Sequence, residues 1–170
     1  MTLTQLFNDK SLKPKEKTEQ LKTWLLESSL SVSELINFAN SNKDSVKGTC
    51  IEALEFATKS DLKFADQKVF DFAVECLAEK APRIKWESAK IIANVANKFS
   101  KKLDDAIPSL LKNTEHEGTV VRWSAALALG EIIKTSYKGK KDLIPVLEKI
   151  CKKEEKNSIK KIYLAAFKKK

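Results

Sequence analysis

The run Val121-Arg122-Trp123-Ser124-Ala125-Ala126-Leu127-Ala128-Leu129 carries apolar or small side chains at its first, fifth, sixth, eighth and ninth positions, which is one face of a helix. The same pattern, a β-branched residue and a base followed by a helical run of small and apolar residues, occurs three more times. It starts at Val46-Lys47, at Ile84-Lys85 and at Ile159-Lys160, so that successive copies are offset by 38, 37 and 38 residues. A period in this range belongs to solenoids of helical pairs, in which each unit buries its apolar face only by stacking on its neighbours. The four runs are therefore expected to be the second helices of four pairs.

Working outward, each run follows another amphipathic segment: Val32 to Asn40, Phe64 to Lys80, Leu103 to Thr114 and Lys141 to Lys153. These are the expected first helices. Asp105 to Pro108 and Asp142 to Pro145 form a matching Asp-x-x-Pro, again 37 residues apart, and mark helix starts or an early kink, since the first helical turn tolerates proline. Ser31-x-x-Glu34 reads as a capping box. Glu117-Gly118 and Gly139 punctuate turns, with His116 in a solvated turn. Small residues at Cys50, Ser88 and Ala125 suit close helix approach, and Tyr163 breaks that pattern in the last copy, where fewer neighbours have to be accommodated.

Upstream, Thr2 to Phe7 and Pro14 to Glu27 form one more helical pair, with Leu21, Trp24, Leu25 and Leu26 as its apolar stripe but without the repeat signature. The expected organisation is one domain over residues 1–170. A divergent cap spans 1–30 and the repeats span about 31–60, 61–100, 101–137 and 138–170.

Composition agrees with an all-α protein: 42% hydrophobic, 32% charged, and only four Gly and four Pro in 170 residues. No stretch approaches the roughly 20 apolar residues of a membrane span, and the amino terminus has no signal-like segment, so the expected location is cytoplasmic. Cys50, Cys76 and Cys151 lie scattered inside apolar runs and read as reduced, buried thiols. With His116 the only histidine, paired-histidine metal sites and Ser-His-Asp chemistry lack material, and no metal or cofactor is expected.

The helical period, the proline in the first helix, and the run from Val121 through Gly130-Glu131-Ile132 together resemble HEAT repeats, especially the bacterial HEAT-like kind. The resemblance covers about residues 31–170 and is weakest in the first repeat, where Gly48 holds the place of Trp86 and Trp123. It implies a right-handed α-solenoid with first helices on the convex side and second helices lining the concave side. It does not imply an enzyme. The resemblance to deoxyhypusine hydroxylase would need His-Glu after the base of the second helix, but Trp86-Glu87 and Trp123-Ser124 stand there. HEAT-like alkylpurine DNA glycosylases use a Trp-Asp pair, whereas Trp24, Trp86 and Trp123 precede Leu, Glu and Ser.

Lys47, Lys85, Arg122 and Lys160 recur at equivalent positions and form a ladder. One reading is structural, each base pairing with an acid of the preceding turn or of an adjacent repeat; Glu79 and Glu154 lie six residues before Lys85 and Lys160. The other makes Lys47, Lys85, Lys90, Arg122 and Lys160 a sequence-independent nucleic-acid stripe. Net charge is +9, but residues 138–170 hold twelve lysines against four acids, leaving the rest nearly neutral. Only two of the 32 bases are arginine, which disfavours sequence-specific base reading. The lysines of 152–156 and 168–170 read as solvated surface.

Trp86 and Trp123 stand beside the ladder in the two central repeats only, so they either pack between repeats or anchor a partner. The expected function is a non-enzymatic interaction module that holds a protein or acidic peptide through Trp86, Lys90, Arg122 and Trp123, with nucleic acid as the alternative partner. The short last helix leaves an apolar side uncovered, the pattern of a dimerised or truncated end.

Overall fold

The computed structural model describes residues 1–169, and in it the chain is a solenoid of five stacked helix pairs. The pairs are α1 (Leu3–Asn8) with α2 (Pro14–Leu26), α3 (Val32–Asn40) with α4 (Asp44–Ser60), and α5 (Gln67–Leu77) with α6 (Pro82–Val95). They continue as α7 (Ile107–Asn113) with α8 (Thr119–Ile132), and α9 (Lys140–Lys153) with α10 (Asn157–Phe167). Short 3-10 turns at Leu62–Phe64 and Leu103–Asp105 precede α5 and α7. No strand occurs among the described residues, and none of their helices is long and apolar enough to cross a membrane.

Local chemistry sets the helix starts. Pro14, Pro82 and Pro108 fall in first turns, where the missing N–H has no intrahelical partner to lose. Thr2 and Gln5 form a reciprocal capping box, and Asp66 caps α5 by accepting the Val69 N–H. Ser31 accepts the Glu34 N–H at 3.1 Å, so the hydroxyl half of the capping box expected at Ser31 to Glu34 is present. The two Asp-x-x-Pro segments differ. In the third repeat the chain makes a 3-10 turn at Leu103–Asp105 and α7 starts beside Pro108, whereas α9 begins at Lys140 and carries Pro145 in its interior.

The second helices α2, α4, α6, α8 and α10 pack side by side along the whole chain, while the first helices touch their neighbours more sparingly. The second helices form the more closely packed row, referred to below as the inner row. Close approach is possible because the contacting residues are small: Cys50, Ala53, Ser88, Ala89, Ala125, Ala126 and Ala128 are all buried. At Gly130 an added Cβ would lie 3.1 Å from the Cβ of Ala166, so α8 and α10 meet where a side chain is missing. Ile51, Leu54, Phe70, Leu77, Ile84, Ile91 and Ile92 fill the space between rows and make one continuous core.

Tyr163 departs from the expectation of a loosely covered terminal position. It is 1% exposed and stacks on Phe167 with ring centroids 6.4 Å apart. Burial pushes its phenol well above the usual range, with the Glu154 and Cys151 charges adding to the effect. The bulk that small residues cannot supply in the last pair is thus filled by an aromatic ring. Outside it, Leu164 is 53% exposed and Ile162 and Phe167 are half-buried, so the end of the stack does present an apolar side.

Candidate functional site: the inner helices and their turn edge

The ladder of bases lies at the edge where first helices end and second helices begin, and it is used between repeats. Lys47 pairs with Glu79 of the next repeat's turn and lies over the Phe72 ring at 5.4 Å. Arg122 reaches Glu154 through both Nε (3.0 Å) and Nη2 (3.3 Å), and its Nη1 donates to the carbonyls of His116 and Glu117. Of the two expected sources of the acid, the adjacent repeat supplies it, so Glu79 and Glu154 pair with Lys47 and Arg122 and not with Lys85 and Lys160. Each acid serves the base of the preceding repeat, since the base reaches across to the following pair, and Arg122 holds its own turn as well.

These pairs are well sequestered: the Arg122 and Glu154 side chains are 18% and 6% exposed. Burial would raise the Glu154 carboxyl, but the hydrogen bonds from Arg122 and the Lys156 N–H, with the Arg122 charge, together outweigh it and hold the pKa below its ordinary 4.5. Lys85 is different, since its Nζ donates to the Leu77 carbonyl (3.1 Å) and to the Asn113 amide oxygen (3.0 Å), with no carboxylate partner among the described residues. Lys160, on the last helix, is half-buried beside Cys151, whose Sγ lies 3.9 Å from the Lys160 carbonyl.

The tryptophans lie on the adjacent inner helices. Both Trp86 on α6 and Trp123 on α8 are half-buried, so neither is lost inside the stack. Trp123 packs in part against the core, and the Trp86 indole N–H donates to Glu87 Oε1 at 2.8 Å. Glu87 is buried and also accepts from Lys90 (3.0 Å), which reaches Glu55 of α4 as well (3.2 Å). Burial alone would depress the Lys90 ammonium, but Glu87 and Glu55 together hold it above its ordinary value. Lys90 is thus fixed beside Trp86, while Arg122, though adjacent to Trp123 in sequence, is committed to the turn edge.

In the first repeat the tryptophan place belongs to Gly48, and the reason is on the following helix. The Arg83 side chain lies over Gly48, so that an added Cβ would be 3.1 Å from its Cδ. Arg83 is held there by Glu52 (2.8 Å) and Thr49 (3.4 Å), and Glu52 also accepts from Thr18 of α2 (3.0 Å). The place of Arg83 is taken in the third repeat by Val120, which is 50% exposed, and in the last by Ser158. At the last inner helix the tryptophan place holds Lys161, which is exposed. Read across the inner row, α4 offers Gly48 under Arg83, α6 offers Trp86, α8 offers Trp123 and α10 offers Lys161.

Glu87 and Glu52 did not stand out in the sequence. The signal for Glu52 was its opposite-charge partner Arg83, 31 residues on, close to one repeat length. Glu87 carried no such long-range mark. Elsewhere, Lys152, Lys153, Lys156, Lys168 and Lys169 are exposed as expected, and Lys170 lies outside the described residues. The thiols of Cys50 and Cys76 are pushed up to about 12 by burial, and that of Cys151 is also raised by burial, so none is poised as a thiolate. No group of three or more metal-ligating side chains converges among the described residues.

Against solved structures, the fold has clear counterparts. A designed armadillo repeat protein in complex with the peptide (KR)4 superposes with a TM-score of 0.75 at 18% identity, over 98% of this chain and 79% of that one. A computationally designed armadillo repeat protein for modular peptide recognition gives 0.75 at 17% identity, over 98% and 79% of the two chains. A chain of the complex of CpcE and CpcF of phycocyanin lyase from Nostoc sp. gives 0.68 at 13% identity, over 97% and 95%. The fold is a helical-repeat solenoid similar to those of designed armadillo repeat proteins. No protein-family model matches it, and no curated protein does.

Proposed function

We propose that the protein is a non-catalytic binding module that holds an extended segment of a protein partner across the inner face of the solenoid. The observation that carries this reading is the pair of half-exposed tryptophans, Trp86 and Trp123, at equivalent places on neighbouring inner helices. Large aromatic rings that are partly presented contribute strongly to binding at low conformational cost, and such residues dominate interface hot spots. The similarity to designed scaffolds that recognise peptides supports the same use of the fold.

The row Trp86, Trp123, Lys161 would read a segment with two apolar side chains followed by an acidic one toward the α10 end. Lys90, pinned between Glu55 and Glu87, fixes the rim of the Trp86 site. Arg122 acts at a remove by tying the start of α8 to Glu154. Nucleic acid is a weaker match, because Lys47, Lys90 and Arg122 already face carboxylates that lower the local potential.

Selection of peptides from a displayed random library tests the reading. We expect ligands with paired apolar positions and an adjacent acid, whose affinity falls more than about tenfold in a Trp86→Ala, Trp123→Ala double variant. Equal binding by the double variant would exclude this surface. Salt-sensitive binding of DNA or RNA in parallel assays, without any peptide selected, would favour the nucleic-acid reading instead.

A further inference from the structure

The three central junctions of the turn edge are built on one plan, and the middle one lacks a part. At the first, Lys47 meets Glu79; at the third, Arg122 meets Glu154. In both the base and acid are 32 residues apart, and the same spacing from Lys85 leads to Glu117. Glu117 is exposed and contributes only its backbone carbonyl, to Arg122, so its carboxylate does not reach Lys85. Asn113, itself held by donating from Nδ2 to the Leu77 carbonyl at 3.0 Å, supplies a neutral oxygen in its stead.

An ammonium has three N–H donors, and Lys85 spends two of them on uncharged acceptors. Its positive charge is left uncompensated on the wall of a groove of about 420 Å³. Lys80, Lys112 and His116 line the same groove, with Lys80 and Lys112 exposed. Of the two acids on its wall, Glu79 is engaged by Lys47 and Glu115 is exposed on the rim. Lys85 feels the arrangement: burial, and then the charge of Lys112, depress its ammonium below the ordinary range. The equivalent groove at the third junction, about 410 Å³, has Val146 and Ile150 on its wall and Glu154 within it.

We propose that the groove between the α5–α6 turn and the end of α7 binds a compact oxyanion, a phosphate group, through Lys85, Lys112 and Lys80. The bound anion takes the place that a carboxylate fills at the other two junctions. Charge-assisted hydrogen bonds to three ammonium groups suit a tetrahedral dianion better than a single carboxylate. The site is independent of the tryptophan surface, because it opens on the turn edge.

Titration of the full chain with inorganic phosphate and, separately, with O-phosphoserine, at fixed pH and ionic strength, is the test. The Asn113 side-chain amide and Lys85 backbone signals are followed by NMR. Saturable shifts confined to these and to Lys112 are expected, weakened about tenfold by Lys112→Gln and unaffected by Lys149→Gln at the equivalent place of the next junction. Asn113→Asp, which restores a carboxylate, should abolish them. Stronger shifts with phosphoserine than with phosphate would assign the group to a carried phosphate, and the reverse to the free ion. Absent saturation, shifts spread evenly over surface lysines, or equal binding by Lys112→Gln would overturn the proposal.

Discussion

The first and second junctions of the inner row use the same helix pair differently. Between α4 and α6, Gly48 lies under Arg83, whose guanidinium is tied to Glu52 and through it to Thr18, so three inner helices are sealed by a polar seam. Between α6 and α8 the tryptophans occupy the equivalent places and Val120 replaces the arginine. One position in each repeat is therefore free to close the surface or to present it, provided the residue that covers it changes in step. Stacking is held by other positions, the small residues and the base-to-acid links, which is why the period survives this variation.

The largest effect is expected at the link that ties α8, and with it Trp123, to the pair that follows. Arg122→Met should cost about 3 kcal/mol of unfolding free energy by urea denaturation, because the Glu154 carboxylate stays buried without its partner. A cost under about 1 kcal/mol would mean that the edge pairs do not hold the repeats together. Exchanging the surface residues should matter less. Gly48→Trp alone displaces Arg83 and should cost about 1–2 kcal/mol, and adding Arg83→Val, the residue of the third repeat, should recover most of it. If the double variant is no better than the single, the covering arginine is not what excludes tryptophan from the first repeat.

The smallest effect is one of pH. The folded pKa of Glu154 lies below its ordinary 4.5, so its pairing stabilises the fold above that value and the contribution is lost as pH falls through the lower folded value. Comparing unfolding of wild type and Arg122→Met between neutral pH and about pH 3 should show the difference shrinking on the acid side. A difference independent of pH would contradict the assigned pair.

The sequence makes the solenoid legible because stacking imposes a repeat of small and apolar residues that survives from Val46 to Phe167. It also shows that Lys47, Lys85 and Arg122 belong to one ladder. It does not show which way the ladder points, since Glu79 is near Lys85 along the chain but near Lys47 in space. Nor could the exposure of Trp86 and Trp123 be read locally. At Gly48 the covering side chain, Arg83, comes from 35 positions further on, where valine and serine stand at the equivalent places of the next two repeats. The missing acid at Lys85 is likewise visible only once the turn before α8 is seen to direct Glu117 outward.

Under the proposed function, partners engage the inner face at α6 and α8. The chain carries three indoles, Trp24, Trp86 and Trp123, and so contains its own control. Adding a library-selected peptide to ¹⁵N-labelled protein should shift the indole N–H signals of Trp86 and Trp123 and leave that of Trp24 in place. A shift at Trp24 with the other two unmoved, or tight binding with all three unmoved, would contradict the account.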